Sequence, residues 1–133
     1  MENVKIRDLT VHEDDRGWLA EIFGPEDLNQ TIKGQFCITT AYPGKVKANH
    51  YHKRKYEWYY VIKGKMRLVL KDMKTGEKEE MVLSDQEPKI LHIGSNIAHG
   101  FKNIGDEMLY LLIYNDKPFD QKNTDTFPEI VMR

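Results

Sequence analysis

Short apolar or aromatic runs recur along the chain, and each is closed by Gly, Pro, Asn or Asp. In one run Met66, Leu68 and Leu70 lie on one face, and Arg67, Val69 and Lys71 lie on the other. This alternation has the period of a strand with one buried face. The turn signal around Gly76 predicts a hairpin after this run. The predicted strands are Val4–Val11, Trp18–Phe23, Gln35–Ala41, Ala48–His52, Glu57–Ile62, Lys65–Asp72, Glu79–Leu83, Ile90–Ile93, Gly100–Asn103 and Met108–Tyr114.

Many short strands with frequent turn signals favour an all-β sandwich or barrel. Helical potential is confined to the short segment Pro25–Gln30, which fits one helical turn or a loop equally well. The polar segment after Asn115 regains apolar residues at Phe127–Val131, so this ending is expected to pair as an edge strand or to drape over the sheet. A length of 133 residues fits one domain, residues 1–133.

Charge and cysteine content exclude several classes of protein. Twenty Lys and Arg against 21 Asp and Glu leave a net charge of −1, so no bulk positive field attracts a nucleic acid or an anionic membrane. Any anionic ligand must therefore be held by particular residues. No apolar run is long enough to span a bilayer, the single Cys37 excludes an internal disulfide, and the first residues do not resemble a signal peptide. We expect a soluble, cytoplasmic protein.

The residues with the clearest chemistry are histidines in strand context. His50 and His52 point to the same face of a strand because its side chains alternate, so they can share one metal ion. A four-residue connection leads to Glu57, whose carboxylate can open the next strand beside the imidazoles. His99 offers a third imidazole at a similar turn. The competing interpretation is that these histidines are packed polar residues or surface residues.

These segments resemble the two cupin motifs. The first motif is matched at every position that it specifies, by Gly44, His50, His52, Glu57 and Gly64. The second motif is matched by His99 and Asn103, with Gly94 and Asn96 in place of its usual Pro and Gly. The resemblance implies a double-stranded β-helix with metal ligands His50, His52, Glu57 and His99 inside the barrel. Such a ligand set suits a divalent transition metal, with zinc favoured and iron, manganese or nickel as alternatives, rather than Ca or Mg.

A narrower resemblance covers nearly the whole chain. Asp14–Phe23 and Ile97–Phe101 resemble the two signatures of the dTDP-4-dehydrorhamnose 3,5-epimerase family. Asn49–His52 and Asp125–Phe127 are similar to the cupin domain that ends bifunctional UDP-sugar epimerase-reductases of capsule synthesis, and dTDP-hexose 3,4-ketoisomerases share the two-histidine strand. All three groups act on nucleotide-linked 4-keto-6-deoxy sugars. The resemblance implies an epimerase or ketoisomerase that removes a proton next to the sugar carbonyl.

The catalytic base of these epimerases falls on His50, although the epimerases lack the second histidine and work without metal. Two alternatives follow: a metal-free site with His50 as base, or a metal site with the base elsewhere. We favour the second, because His52 and Glu57 would otherwise have no role.

Further site residues follow from the same resemblance. The catalytic tyrosine of the epimerases falls on Leu112, so Tyr110 and Tyr114, two residues away, are candidates. Tyr59 is a third candidate, since it shares a strand face with Glu57. Each of these tyrosines has core or rim packing as its alternative. Positions that contact the diphosphate are matched by Arg16 and Lys47.

Two other classes of function stay open: a metal-dependent cupin dioxygenase and a non-catalytic cupin that binds a small ligand. The segment around Arg16 favours the sugar-nucleotide class, since generic cupins have no need of it. If Glu57 and Tyr59 face the interior, then Trp58, Tyr60 and Ile62 face outward. A homodimer would cover this apolar surface, and packing of the chain's own first strand is the alternative.

Overall fold

The computed structural model describes residues 1–15, 17–19, 34–117 and 120–133, with the backbone alone for residues 17–19. The described part of the chain consists of strands and turns without a helix. Its strands are β1 (Val4–Asp8), β2 (His12–Asp14), β3 (Gly17–Leu19), β4 (Gln35–Ala41), β5 (Val46–Tyr51), β6 (Glu57–Lys63), β7 (Lys65–Asp72), β8 (Lys78–Ser84), β9 (Lys89–Ile93), β10 (Ile97–Asn103), β11 (Leu109–Asn115) and β12 (Phe127–Pro128).

The strands form two five-stranded antiparallel sheets and a small hairpin of β2 and β3. The first sheet has the order β1-β9-β6-β11-β4, and the second has the order β12-β5-β10-β7-β8. Neighbours in a sheet are mostly distant in sequence, so the chain passes repeatedly from one sheet to the other. This is the all-β, cupin-like architecture that the resemblance implied.

The core lies between the inner faces of the two sheets. Met66, Leu68 and Leu70 are fully buried there, which confirms the alternation predicted for this strand. Leu111 of β11 and Leu91 of β9 belong to the same apolar cluster and come from the facing sheet. Because burial of each such side chain is worth about 1.5–3 kcal/mol, this shared core holds the sheets together.

Strand β5 carries a bulge beside the predicted ligands. Its pairing with β10 shifts register, so that His99 lies opposite His50 but Gly100 lies opposite Ala48. Asn49 is the additional residue, and both Ala48 and Asn49 have positive φ angles, of 71° and 55°. A bulge redirects the side chains that follow it, and here the residues that follow are His50 and His52.

The C-terminal segment lies along the bulged strand. Phe127 and Pro128 pair with Tyr51 and His50, so the predicted edge pairing is confirmed. Beyond them the segment covers part of the sheet, because the Asn49 carboxamide accepts hydrogen bonds from the amides of Val131 (3.0 Å) and Met132 (3.2 Å) and donates one to the Met132 carbonyl (2.9 Å). The Met132 side chain is buried as a result.

Near the N-terminus the predicted strand Val4–Val11 is too long. Strand β1 ends at Asp8, and Leu9 then packs into an outer cluster with Trp58, Ile90 and Tyr114. The amide of Leu9 donates to the Pro88 carbonyl at 3.2 Å, and the pairing of β1 with β9 ends at Asp8.

Other predictions for this region concern residues whose structure is only partly described. Residues 20–23 of the strand predicted from Trp18, and the segment Pro25–Gln30, lie outside the described residues. Across the described ranges, there is also no helix long and apolar enough to cross a bilayer.

Gly100 permits the close approach of Asn49 to β10. A Cβ atom at this position would overlap the Asn49 carboxamide oxygen and lie 3.0 Å from Val131 Cγ2. We expect Gly100→Ala to lower the free energy of unfolding by about 1–3 kcal/mol, the usual cost of overpacking, as measured by chemical denaturation. Gly105→Ala is the matched control, because a Cβ there meets nothing closer than 3.5 Å. Equal stability of the two variants would contradict this packing.

Candidate functional site

The four predicted ligands meet between the sheets. His50 of β5 and His99 of β10 are opposite each other in the second sheet, with ring centroids 4.9 Å apart. His52 follows directly after β5, and Glu57 is the first residue of β6 in the facing sheet. One ligand atom from each of these residues lies within 4.8 Å of all the others. Two metal–ligand bonds of about 2.0–2.2 Å span a similar distance, so the cluster has the size of a single-ion site.

Glu57 is the centre of this cluster. Its carboxylate oxygen Oε1 is 2.9 Å from His52 Nε2 and 3.0 Å from His99 Nε2, and the residue is only 5% exposed. Burial alone would raise the pKa of this carboxyl, but the hydrogen bond from His52 and the contact with His99 hold it well below its usual range. Glu57 is therefore an anion inside the barrel.

Backbone carbonyls fix the orientation of two imidazoles. His52 Nδ1 donates to the Asp125 carbonyl at 2.7 Å, and His99 Nδ1 donates to the Ile97 carbonyl at 2.9 Å. A carbonyl only accepts, so each Nδ1 carries the proton and each Nε2 faces Glu57. Carbonyl contacts of this kind are the usual means by which proteins orient histidine ligands toward a metal.

A proton on His52 would satisfy its contact with Glu57, but the buried Nε2 of His99 is left without a partner. Burial lowers the pKa of His52, but its hydrogen bond to Glu57 and the charge of Glu57 raise the pKa above the ordinary value overall, which matches an imidazolium paired with a carboxylate. His99 is fully buried, and its Nε2 lies 3.0 Å from Glu57 Oε1 without a hydrogen-bond partner. A cation held by both imidazoles and Glu57 would satisfy this nitrogen, so the residues fit a metal ion.

His50 supplies a neutral imidazole. Burial, together with the neighbouring His99 and His52, lowers its pKa to about 4. Its ring is half-buried, whereas the other three ligands are buried. His50 is thus the member of the cluster that is most accessible, and because it is unprotonated at neutral pH its lone pair is available to an ion.

Tyr59 lies on the inner face beside this cluster, as strand alternation predicted. Its ring stands edge-on to His99, with centroids 5.8 Å apart, and it is fully buried. Burial and the charge of Glu57 raise the pKa of its hydroxyl well above 10.0. Tyr59 therefore stays protonated and is suited to donating a proton or a hydrogen bond rather than to acting as a base.

The other two tyrosines lie on the opposite face of the first sheet. Leu109, Leu111 and Ile113 of β11 point into the core, so alternation sends Tyr110 and Tyr114 outward. Tyr114 packs against Trp58 and Phe36 on that outer side. The structure does not bring Tyr110 or Tyr114 to the cluster, and packing explains Tyr114.

The two predicted diphosphate contacts have different outcomes. Lys47 is exposed, and its ammonium donates to Thr39 Oγ1 (2.9 Å) and to the Thr40 carbonyl (2.8 Å), which ties β5 of the second sheet to β4 of the first. Arg16 lies outside the described residues.

Lys55 is a further charged residue near the cluster. It belongs to the basic run Lys53–Lys55, which from the sequence fits a solvated loop or a rim that attracts a nucleotide. In the structure it is only 8% exposed, and its positive charge opposes protonation of both His50 and His52. No sequence signal marked the burial of Lys55. Cys37 of β4 is exposed, and partial burial together with the charge of Glu57 raises the pKa of its thiol.

Comparison with known proteins agrees with this architecture. The chain is 30% identical over 120 residues to a UDP-2-acetamido-2,6-beta-L-arabino-hexul-4-ose reductase from Pseudomonas aeruginosa, but those residues, 90% of this chain, span only 31% of that protein. It is 29% identical over 132 residues to a probable low-salt glycan biosynthesis epimerase from Haloferax volcanii, covering 94% of this chain and 85% of the relative.

Solved structures show the same fold. The sugar 3,4-ketoisomerase QdtA from Thermoanaerobacterium thermosaccharolyticum, crystallised with TDP, superposes with a TM-score of 0.78 at 21% identity and covers 96% of this chain and 88% of its own. Residues 12–127 match the family described as the polysaccharide biosynthesis C-terminal domain. With nearly its whole length matched, the chain belongs to the polysaccharide biosynthesis C-terminal domain family.

Proposed function

We propose that this protein is a sugar-nucleotide epimerase or ketoisomerase of polysaccharide or deoxysugar biosynthesis, acting on an NDP-linked 4-keto-6-deoxyhexose with a bound divalent transition metal. The observation that carries the proposal is the meeting of His50, His52, Glu57 and His99 between the sheets. The substrate class is supported by the names of the relatives: a reductase of a UDP-linked hexul-4-ose, a glycan epimerase and a 3,4-ketoisomerase.

The chemistry that such a substrate needs fits the cluster. Protons on the carbons next to a carbonyl are acidic, and their removal leaves an enediolate whose negative charge must be stabilised. A bound ion, held by the three imidazoles and Glu57 and with zinc favoured, would supply Lewis-acid polarisation of the carbonyl oxygen. The neutral His50 and the anionic Glu57 are ready to hold a cation without first losing protons.

Other residues near the cluster would act on the substrate itself. Lys55 places a positive charge beside the ligands, where it would stabilise the developing oxyanion. Tyr59 is protonated beside His99 and would donate a proton or a hydrogen bond. Lys47 and Arg16 would hold the diphosphate at the rim. If no ion binds, the accessible His50 is the base, because its neutral imidazole can accept the proton.

Proton exchange tests the reaction. We expect incubation with a UDP- or dTDP-linked 4-keto-6-deoxyhexose in deuterated water, followed by NMR, to show deuterium entering C3 or C5 for an epimerase, or a 3-keto product for a ketoisomerase. Glu57→Gln should slow exchange more than about 100-fold, since loss of charge stabilisation at the reacting oxygen has effects of this size. His12→Ala changes an exposed histidine on β2 and should exchange at the wild-type rate. Absence of exchange with these substrates, with oxygen uptake on another compound, would favour the dioxygenase class instead.

Metal binding is tested separately from turnover. Titration of the protein with ZnCl₂ by isothermal calorimetry should give one site per chain, and His52→Ala, Glu57→Gln and His99→Ala should each weaken it by more than about 100-fold, because even residues behind the ligands change affinity 10- to 100-fold. His12→Ala should bind as the wild type does. Wild-type affinity in the Glu57 and His99 variants would show that these side chains hold no ion.

We also propose a homodimer formed through the outer face of the first sheet. Trp58 is covered by Leu9 of the same chain, so the chain's own first segment accounts for part of the predicted apolar surface. Phe36, Ile38 and Ile62 still expose 50%, 61% and 44% of their area on the outer side. Within the described residues β4 is the last strand of its sheet, so a second copy is well placed to cover Phe36 and Ile38.

Sedimentation velocity distinguishes this assembly from a monomer. We expect the wild type to sediment as a dimer and Ile38→Glu as a monomer, because a carboxylate in the interface would lose its hydration without gaining a partner. Val82→Glu places the same charge at a residue that is 50% exposed on β8 of the other sheet and should leave the dimer intact. A monomeric wild type at about 100 μM, well above the Kd of a stable interface, would exclude the dimer.

A further inference from the structure

One aspartate holds the connection between two of the four ligands. The carboxylate of Asp125 accepts hydrogen bonds from the amides of Lys53 (2.9 Å), Arg54 (3.0 Å) and Lys55 (3.0 Å). Its carbonyl oxygen accepts the proton of His52 Nδ1 at 2.7 Å. We propose that Asp125 is a positioning residue that fixes His52 and Glu57 relative to each other and thereby sets the metal affinity of the site. The metal part of this inference rests on the proposed function.

The connection from His52 to Glu57 has no strand partner of its own. Its residues lie between the end of β5 and the start of β6, in a turn that passes from one sheet to the other. Three of its amides bond to Asp125, and the fourth, that of Tyr56, donates to Asp116 Oδ1 at 2.9 Å. Carboxylates therefore replace the ladder that would otherwise satisfy these amides. Loss of the Asp125 carboxylate would leave three of the four without their partner.

Asp125 is itself held firmly in place. It is buried and has a positive φ angle of 51°, which aspartate tolerates better than most residues. On its C-terminal side, Phe127 stacks on Tyr51 with ring centroids 5.5 Å apart, and β12 pairs with β5. Further along, Asn49 holds the amides of Val131 and Met132. These attachments do not depend on the Asp125 side chain, so a substitution there should loosen the connection without detaching the segment.

The contacts of Asp125 combine two effects in one residue. Its backbone carbonyl orients the His52 ring, and its carboxylate shapes the turn that delivers Glu57 to the same point. His52 and Glu57 lie 2.9 Å apart, and a small change in the turn would alter that distance. A ligand pair whose relative position is fixed in advance binds an ion without the entropic cost of ordering it.

The test compares Asp125→Ala and Asp125→Asn with a matched control. Asp72 is also a buried aspartate, and its carboxylate accepts from the amides of Lys74 (2.8 Å) and Thr75 (3.3 Å), but in the hairpin turn after β7. In ZnCl₂ titrations we expect Asp125→Ala to lose about 10- to 100-fold in affinity. Asp125→Asn keeps one acceptor oxygen and should lose less, and Asp72→Ala should bind as the wild type does. Asp125→Asn also serves as the test if the alanine variant does not fold.

A second measurement is independent of any metal. In metal-free protein, the backbone amides of residues 53–55 should be slow to exchange in NMR spectra of the wild type and of Asp72→Ala, and fast in Asp125→Ala, because their acceptor is the Asp125 carboxylate. Wild-type zinc affinity and unchanged exchange of these amides in Asp125→Ala would overturn the proposal. If the wild type binds no zinc, the metal part of the proposed function fails, and the exchange of these amides alone decides whether the Asp125 carboxylate holds the connection.

Discussion

The structure depends on one buried carboxylate. Glu57 enters the interior from the first sheet and meets His52 and His99, which belong to the second. A buried anion is costly unless it is paired, so the sheets must hold these groups within contact distance. The apolar core around Leu68 and Leu111 supplies the energy that keeps the sheets at this separation. The apolar core and the cluster around Glu57 therefore lie in the same interface between the two sheets.

Local irregularities in β5 and β10 help to position the ligands. The bulge at Ala48 and Asn49 aims the following histidines inward, and Gly100 leaves room for the Asn49 carboxamide that anchors the C-terminal segment. That segment returns to β5 and satisfies the turn between His52 and Glu57 through Asp125. Residues separated by about 70 positions in sequence thus form one support for the ligands.

The sequence predicted the all-β class, most strand positions and the meeting of His50, His52, Glu57 and His99, because strand alternation and the motif spacings are local signals. It did not predict which of the three candidate tyrosines reaches the cluster. Tyr59 does, whereas Tyr110 and Tyr114 lie on the face of β11 opposite to its core residues. The roles of Lys55 and Asp125 depend on contacts between distant segments. Burial of a lysine inside a basic run, or an aspartate that caps a remote turn, leaves no mark on local periodicity.

We propose that His50, His52, Glu57 and His99 hold one ion between the sheets. A crystal structure of the protein grown with ZnCl₂, with anomalous diffraction recorded on both sides of the zinc absorption edge, would show whether they do. We expect a single anomalous peak within about 2.0–2.2 Å of ligand atoms of His50, His52, Glu57 and His99. Density without a peak there, with His52 and His99 still directed at the Glu57 carboxylate, would show that the four side chains hold no zinc.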